Sequence, residues 1–364
     1  MWPYWVLFLI PAYWAIARLK PISNDDQTAR TSRWSFIWKS VFVYLVLMIG
    51  LRHEVGGDWI QYLEMLDAYS DSPAIKMESG FQDPAFVLLY IFSAKTGLGI
   101  YLLNFLSATF FCVGVIIFCR AQPRPWLALA VAVPYLITVV AMGYTRQSAA
   151  IGIAMLAMTA LGNGSVFRFV LWIALAATFH KSAIILLPLA VLASSKRRIL
   201  TFIWVGVASF VLFALMVQEA LSFLMGGYIE GEMQSAGAGI RVAMNAVPAI
   251  LFLIFRKHFY LSVKQRSFWS WMSWSALLLV VLLAVSPSST VVDRIALYWI
   301  PLQLFVLSRL PNALGRKSGK NLLWVLAVLA YSASVHFVWL FYADTAFAWL
   351  PYQFYPSVWL QNSL

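Results

Sequence analysis

Charged residues are scarce in this sequence, and acidic residues are fewer than basic ones. Only 11% of the 364 residues are Asp, Glu, Lys or Arg, whereas soluble domains carry about 25%. The chain has 14 acids against 26 Lys and Arg, and 62% of its residues are hydrophobic. So few charges cannot cover the apolar surface in water, which excludes a soluble globular domain and predicts a polytopic membrane protein.

Cysteine and histidine are also rare, with two and four residues respectively. Cys112 and Cys119 lie seven positions apart on one predicted helix, about 10 Å, which is too far for a disulfide between them. The sequence contains no P-loop, no dinucleotide-binding fingerprint, no metal-ligand spacing and no nucleic-acid-binding motif. We therefore expect no cofactor, no metal ion and no nucleic-acid partner.

The N-terminus lacks the basic residues that precede the apolar core of a cleavable signal peptide. In "MWPYWVLFLIPAYWAIARLK" the positive charges follow the apolar run instead, which predicts a first membrane helix that enters from outside. The 17 Trp and 16 Tyr suit aromatic belts at the two membrane interfaces. Because few loops are long enough to fold alone, we expect one membrane domain over residues 1–364.

The fold expected is all-α, with about 12 membrane segments. The apolar runs lie at 2–17, 34–51, 98–119, 126–143, 147–162, 169–179, 182–193, 199–218, 242–255, 268–285, 295–307 and 321–342.

Basic residues are concentrated in alternate loops. One set of loops holds 19 of the 26 Lys and Arg and only two acids, and the positive-inside rule places that set in the cytoplasm. The other set holds seven basic residues and the remaining 12 acids. Both termini are then predicted outside. The basic loops are 18–40, 120–125, 163–168, 194–198, 256–267 and 308–320.

The segment 169–193 contains His180 and Lys181 within an otherwise apolar run. A single helix would export the basic loop that follows it, so we predict a hairpin of two arms, each about 18 Å long, that meet at His180. A second irregular segment, 84–96, lies between two outer loops and is too short to span, which predicts a re-entrant or interfacial helix.

Four arginines stand at helix ends on the predicted outer face: Arg52, Arg146, Arg241 and Arg294. Each could be an interfacial side chain that reaches toward water, and Asp293 could neutralise Arg294 locally. Together they favour an anion site, because arginine binds phosphate bidentately and keeps its charge. The loop 51–62 adds Glu54 and Asp58 around two glycines. His180 is either a packing residue or a group facing a polar cavity.

Five segments recur in the order found in a known family: "GLRHEVGGDWIQY", "ESGFQDP", "YTRQSAA", "FHKSAIILLP" and "DRIALYW". Over about residues 35–300 the chain resembles the EpsG family of Wzy-type polysaccharide polymerases, and also the broader O-antigen polymerase and ligase group. The resemblance implies a metal-independent glycosyltransferase with a GT-C-like helical fold, in the bacterial inner membrane and facing the periplasm.

The resemblance also implies the substrate and the site. Such enzymes transfer a growing glycan from undecaprenyl pyrophosphate to the next lipid-linked repeat unit, without a nucleotide sugar, and a chain-length regulator is a candidate partner. Arg52, Arg146, Arg241 and Arg294 are then the candidate pyrophosphate ligands. His180, Glu54 and Asp58 are the candidate catalytic groups, which the sequence does not rank.

Two alternatives stay open at this stage. A flippase or transporter for lipid-linked sugars would also need a polar cavity, but internal repeats are typical of transporters and none is seen. An O-antigen ligase would use the same donor with another acceptor. Ligase-like proteins usually carry a large late outer loop, whereas residues 219–240 form a short one, which favours the polymerase.

Overall fold

The computed structural model describes residues 1–21, 34–71, 83–162, 164–193, 203, 206–207, 234–235 and 237–363. Most of the apolar run at 199–218, the basic loop 194–198, most of the outer loop 219–240 and most of "ESGFQDP" lie outside these residues. The described part is a helical bundle with one two-stranded sheet. It confirms the all-α membrane class, whereas the count of 12 segments and the GT-C likeness stay predictions.

The helices of the N-terminal half are α1 (Trp2–Ala17), α2 (Phe36–Gly50), α3 (Trp59–Asp71), α4 (Pro84–Lys95), α5 (Gly99–Arg120), α6 (Pro125–Ala132), a π-helix (Val133–Ala141), α7 (Thr145–Gly162) and α8 (Val166–Phe179).

After a 3₁₀ helix (Lys181–Leu186), the chain continues with α9 (Pro188–Ala193), α10 (Ala238–Phe255), α11 (Val263–Val285), α12 (Ser289–Ala296), a 3₁₀ turn (Leu297–Trp299), α13 (Ile300–Leu314), α14 (Leu322–Tyr342), a 3₁₀ helix (Ala346–Trp349) and α15 (Tyr355–Ser363). The strands are β1 (Arg52–His53) and β2 (Gln353–Phe354), which pair antiparallel.

Five described stretches are long and apolar enough to cross a membrane, which makes this a multi-pass membrane protein. They are Gly99–Arg120, Ala238–Phe255, Val263–Val285, Ser289–Leu314 and Leu322–Tyr342. Shorter apolar helices accompany them, including Pro84–Lys95 and Val166–Phe179.

The centre of the bundle is α7, which packs against α5 and α8. Close approach of α5 and α7 depends on two glycines. A Cβ atom on Gly114 would lie 1.8 Å from the carbonyl oxygen of Gly152, and one on Gly152 would lie 2.4 Å from the Cα of Phe111. Small residues of this kind let membrane helices pack backbone against backbone. Cys112 and Cys119 are buried as free thiols in α5.

The described parts of five basic loops, 18–40, 120–125, 163–168, 256–267 and 308–320, meet at one end of the bundle, as the charge pattern predicts. Arg124 hydrogen-bonds to Asn312 Oδ1 at 2.8 Å, to the Gly319 carbonyl at 2.8 Å and to the Leu19 carbonyl. A Cβ atom on Gly164 would lie 2.4 Å from Lys264 Nζ. We call this end the basic end.

The helix α8 stops at His180, where the backbone is extended with φ −158° and ψ 114°. This break confirms the interruption predicted there, and the 3₁₀ helix that follows contacts α8 and α7. The loop 194–198 that follows the second arm lies outside the described residues, so the return of this arm to the cytoplasmic side stays a prediction. The short helix predicted at 84–96 is confirmed as α4, and its depth in the membrane stays a prediction.

The amphipathic helix α3 and the whole C-terminal segment after α14 were not expected from hydrophobic runs. The C-terminal segment returns to the bundle through long-range contacts. Tyr4 Oη donates to the Trp349 carbonyl at 2.6 Å, Trp349 Nε1 donates to the Thr138 carbonyl at 2.9 Å, and Tyr352 Oη donates to the Met48 carbonyl at 2.7 Å. Thr138 lies in the π-helix, a form often found near functional sites.

The orientation of the bundle can be tested with cysteine substitutions, because the two native thiols are buried. We expect Lys181→Cys to react in intact cells with a thiol reagent that cannot cross the inner membrane, whereas Lys317→Cys at the basic end should react only after lysis. Labelling of Lys317→Cys in intact cells, with Lys181→Cys protected, would contradict the predicted orientation.

Candidate functional site

The loop 51–58 is held in place by the C-terminal segment. In the sheet, Arg52 pairs with Phe354 and His53 with Gln353, and the Gly56 amide donates to the Ala348 carbonyl at 2.8 Å. Gly56 has a positive φ of 109°, and a Cβ atom there would lie 2.1 Å from the Met142 carbonyl oxygen. Only glycine fits this approach, so the loop has a fixed shape.

Arg52 is buried and its guanidinium is bound by the protein itself. Nε donates to the Val55 carbonyl at 3.0 Å and Nη1 to the Ile49 carbonyl at 2.6 Å. Nη2 donates to Asn104 Oδ1 at 3.0 Å and to Thr145 Oγ1 at 2.8 Å. Four of its five N–H groups therefore have protein acceptors, which ties the loop to α5 and α7.

Glu54 lies on the outer side of this loop. Its side chain is 63% exposed, and Oε1 lies 3.8 Å from His53 Nε2. Its backbone has a positive φ of 50°, which is uncommon for a residue other than glycine. His53 Nδ1 is hydrogen-bonded to Tyr101 Oη at 2.6 Å, and Tyr101 stacks on Tyr355.

Asp58 is within electrostatic range of three of the four predicted arginines. Burial raises the pKa of the Asp58 carboxyl, and Arg294, Arg146 and Arg52 oppose the shift electrostatically. Two of these arginines, Arg146 and Arg294, also act electrostatically on His180. Asp58 and His180 are therefore both within electrostatic range of Arg146 and Arg294, and their joint role in a site stays a prediction.

Asp83, at the start of α4, connects Arg146 to the break after α8. Its Oδ1 accepts the Lys181 amide at 2.9 Å, and its Oδ2 lies 3.7 Å from Arg146 Nη1. Burial raises the pKa of Asp83 to about 6, although Arg146 and the Lys181 amide oppose the shift. Tyr62 completes this side, since its Oη accepts the Arg146 amide at 3.3 Å.

His180 is held through its Nδ1 atom. Ser182 Oγ lies 2.5 Å from Nδ1 and hydrogen-bonds to Tyr298 Oη at 3.2 Å. Within the part of the chain that the structure describes, Nε2 of His180 has no hydrogen-bond partner. The ring is thus fixed on one side and able to meet a ligand on the other.

Arg241 and Asp293 form a bidentate ion pair. Nε lies 2.5 Å from Oδ1 and Nη2 lies 2.7 Å from Oδ2, while Ser235 Oγ hydrogen-bonds to both residues. The alternative in which Asp293 neutralises Arg294 is therefore wrong. Consecutive residues on a helix do not face each other, so Asp293 is directed to α10 instead.

Arg294 is half-buried, and no carboxylate of the described residues lies within 4.0 Å of its guanidinium. Its backbone is fixed by Gln147, whose Nε2 donates to the Arg294 carbonyl at 2.6 Å. Since Gln147 follows Arg146 directly, this bond brings the two arginines to neighbouring positions. Gln147 Oε1 is buried and has no partner among the described atoms.

Comparison with protein-family profiles shows which family the chain belongs to. The EpsG family profile matches residues 35–354, which is most of the chain. The chain belongs to the EpsG family. This is a family of Wzy-like polymerases, so the chain is a polysaccharide-polymerase-type membrane protein. No curated protein and no solved structure matches the chain significantly.

Several site residues of this EpsG-family protein were missed by the sequence analysis. Asp83, Tyr62, Gln147, Ser182 and Tyr298 bind or position the predicted groups but were not selected. Asp83 carried a usable signal, because an acid directly before the proline of an apolar helix is unusual at membrane depth. The others are ordinary polar residues, and the partners of Tyr62, Gln147 and Tyr298 lie far away in sequence.

We expect Gly56→Ala to prevent stable folding of the loop, because the added methyl group meets the Met142 carbonyl. Gly97→Ala is the matched control, since Gly97 also has a positive φ, of 71°, but nothing lies within 4 Å of the Cβ position. The control should cost about 1–2 kcal/mol for the backbone conformation alone. Thermal unfolding in detergent checks this, and equal melting temperatures would contradict the close packing at Gly56.

Proposed function

We propose that this protein is a polysaccharide polymerase that works on the periplasmic side of the bacterial inner membrane. It transfers a growing glycan from undecaprenyl pyrophosphate to the next lipid-linked repeat unit. The observation that carries the proposal is that the four predicted arginines differ in whether an acid of the described residues neutralises them. Arg294 has no carboxylate partner among the described residues, its carbonyl is bound by Gln147 next to Arg146, and it is within electrostatic range of Asp58 and His180.

In this reaction a hydroxyl oxygen of the acceptor sugar attacks the anomeric carbon of the donor glycan. The bond between that carbon and the pyrophosphate oxygen breaks, and its electron pair leaves on undecaprenyl pyrophosphate. The proton of the hydroxyl passes to a base. Arginines placed at the departing pyrophosphate speed the reaction, because they stabilise charge that develops in the transition state.

The four arginines divide into two roles in this proposal. Arg294 and Arg146 bind the pyrophosphate, and the acids of the described residues do not fully neutralise their charge. Arg52 and Arg241 position the surrounding elements, because their guanidinium groups already bond to the loop 49–55 and to Asp293. An arginine held by a bidentate carboxylate has little left to offer a phosphate.

His180 is the best candidate for the base. If Ser182 donates its single proton to Tyr298, Nδ1 of His180 must carry the imidazole proton and donate to Ser182. Nε2 is then the basic nitrogen and can accept the proton of the acceptor hydroxyl. Asp58 is the second candidate because Arg146 and Arg294 act electrostatically on it as they do on His180. Glu54 ranks third, because its side chain is mostly exposed.

Deletion of the gene tests the function. The deletion strain should accumulate single repeat units on the lipid carrier or on the surface anchor, without a ladder of longer chains, on a gel of surface polysaccharide. Intact long chains would remove the polymerase from consideration. Long polymer that is not attached to its anchor would indicate a ligase, and repeat units confined to the cytoplasmic leaflet would indicate a flippase.

Arg146→Lys and Arg294→Lys should each lower polymer formation about 10²–10³-fold, because lysine keeps the charge but loses the planar fork. Both proteins should insert at normal levels. Arg241→Lys is the matched comparison, and we expect it to lower the melting temperature by weakening the bond to Asp293. Full activity of both Arg146→Lys and Arg294→Lys at matched expression would contradict the pyrophosphate site.

His180→Gln tests the proton transfer, because glutamine can hydrogen-bond but cannot act as a base near neutral pH. We expect no polymer from His180→Gln or His180→Ala in a complementation assay at matched expression. Tyr298→Phe should lower the activity but not abolish it. The imidazole stays in place, but Ser182 is free to donate to Nδ1, which disfavours the tautomer with a basic Nε2. If His180→Gln is fully active, the base moves to Asp58.

A further inference from the structure

The basic end of the bundle contains a cavity that the proposed reaction does not use. It has a volume of about 620 Å³ and lies between α5, α7, α11, α13 and the loop 256–262. Its cationic lining residues are Lys257, Arg266 and Arg309, and no Asp or Glu of the described residues lines it. The cavity lies at the opposite end from Asp83 and His180, so it is separate from the proposed catalytic site.

Arg309 is the central group of this cavity. Its Nε donates to Gln122 Oε1 at 3.0 Å, and its guanidinium lies 4.6 Å from the centre of the Phe305 ring. Gln122 is itself buried and fixed, because its Nε2 donates to the Phe118 carbonyl at 2.9 Å. The fork of Arg309 is thus held in a set orientation by neutral groups.

The charge of Arg309 has no carboxylate partner among the described residues. Its two Nη groups have no hydrogen-bond acceptor among those residues either, although Arg309 is only partly exposed. A cation removed from water and left without an anion is costly in free energy. The positive-inside rule accounts for exposed loop lysines, but it does not account for an arginine fixed inside a cavity wall by a buried glutamine.

Part of the remaining wall is apolar, beside polar residues such as Thr159 and Gln265. Met158, Trp269 and Phe305 line the same cavity, and Trp269 stacks on Phe305 with ring centres 3.8 Å apart. A second cavity, of about 520 Å³, shares Arg309 and adds Lys20 and Lys317. The chemistry is therefore that of an amphipathic ligand, with a phosphate at Arg309 and hydrocarbon against the aromatic wall.

We propose that this cavity binds an anionic phospholipid, with the headgroup phosphate on the fork of Arg309 and an acyl chain along Trp269 and Phe305. Basic pockets between membrane helices on the cytoplasmic side suit anionic headgroups. The source of the phosphate is the bilayer, because a lipid also supplies an acyl chain for Trp269 and Phe305, which inorganic phosphate leaves uncovered. The lipid stabilises the junction of the basic loops at α13.

The test uses the full-length protein in detergent, with dioleoyl phosphatidylglycerol as the added lipid. We expect the lipid to raise the melting temperature and to remain bound in native mass spectrometry. Dioleoyl phosphatidylcholine should act more weakly, because its added positive charge faces lysines and arginines. Arg309→Gln should weaken phosphatidylglycerol binding at least about tenfold, since a charged hydrogen-bond partner is lost.

Arg168→Gln is the matched control, because Arg168 is exposed at the same end and lines neither cavity. It should bind phosphatidylglycerol as the wild type does. If Arg309→Gln does not fold, the double variant Lys257→Gln/Arg266→Gln removes two exposed charges of the same lining and should also weaken binding. Equal binding by wild type and these cavity variants would overturn the proposal, as would an equal rise in melting temperature with inorganic phosphate alone.

Discussion

The carboxylate of Asp83 holds together the parts of the protein that carry its polar groups. One oxygen accepts the amide of Lys181, directly after the break in α8, and the other faces Arg146 at the start of α7. Three segments far apart in sequence therefore meet at one acid. Burial of any one of these groups without a partner in an apolar environment would cost free energy. Together they fix where His180 and Arg146 lie.

The treatment of positive charge differs between the two ends of the bundle. At the end opposite the basic end, Arg52 is bound by neutral acceptors and Arg241 by Asp293, while Arg294 has no carboxylate partner among the described residues. At the basic end, Arg309 is held by Gln122 and faces a cavity without acids. An arginine that no carboxylate of the described residues neutralises marks each proposed site, one for a pyrophosphate and one for a phospholipid.

Hydrophobic periodicity and charge predicted much of the architecture. They did not predict which residues form hydrogen bonds and ion pairs with one another. The uneven distribution of Lys and Arg predicted which loops meet, and the apolar lengths predicted α4 and the break at His180. Neither signal could indicate that Asp293 pairs with Arg241, that Asp83 binds the Lys181 amide, or that Ala348 binds Gly56. Those contacts join residues 52 to 292 positions apart, and a single sequence carries no local trace of them.

The most direct test of the proposed reaction is to measure undecaprenyl pyrophosphate released by the purified protein in lipid vesicles. The substrate would be the lipid-linked repeat units extracted from a strain that lacks the gene, supplied without any nucleotide sugar. The account predicts one undecaprenyl pyrophosphate released for each new glycosidic bond, with polymer as the product. Polymer that forms only when a nucleotide sugar is added, or without release of the carrier, would contradict it.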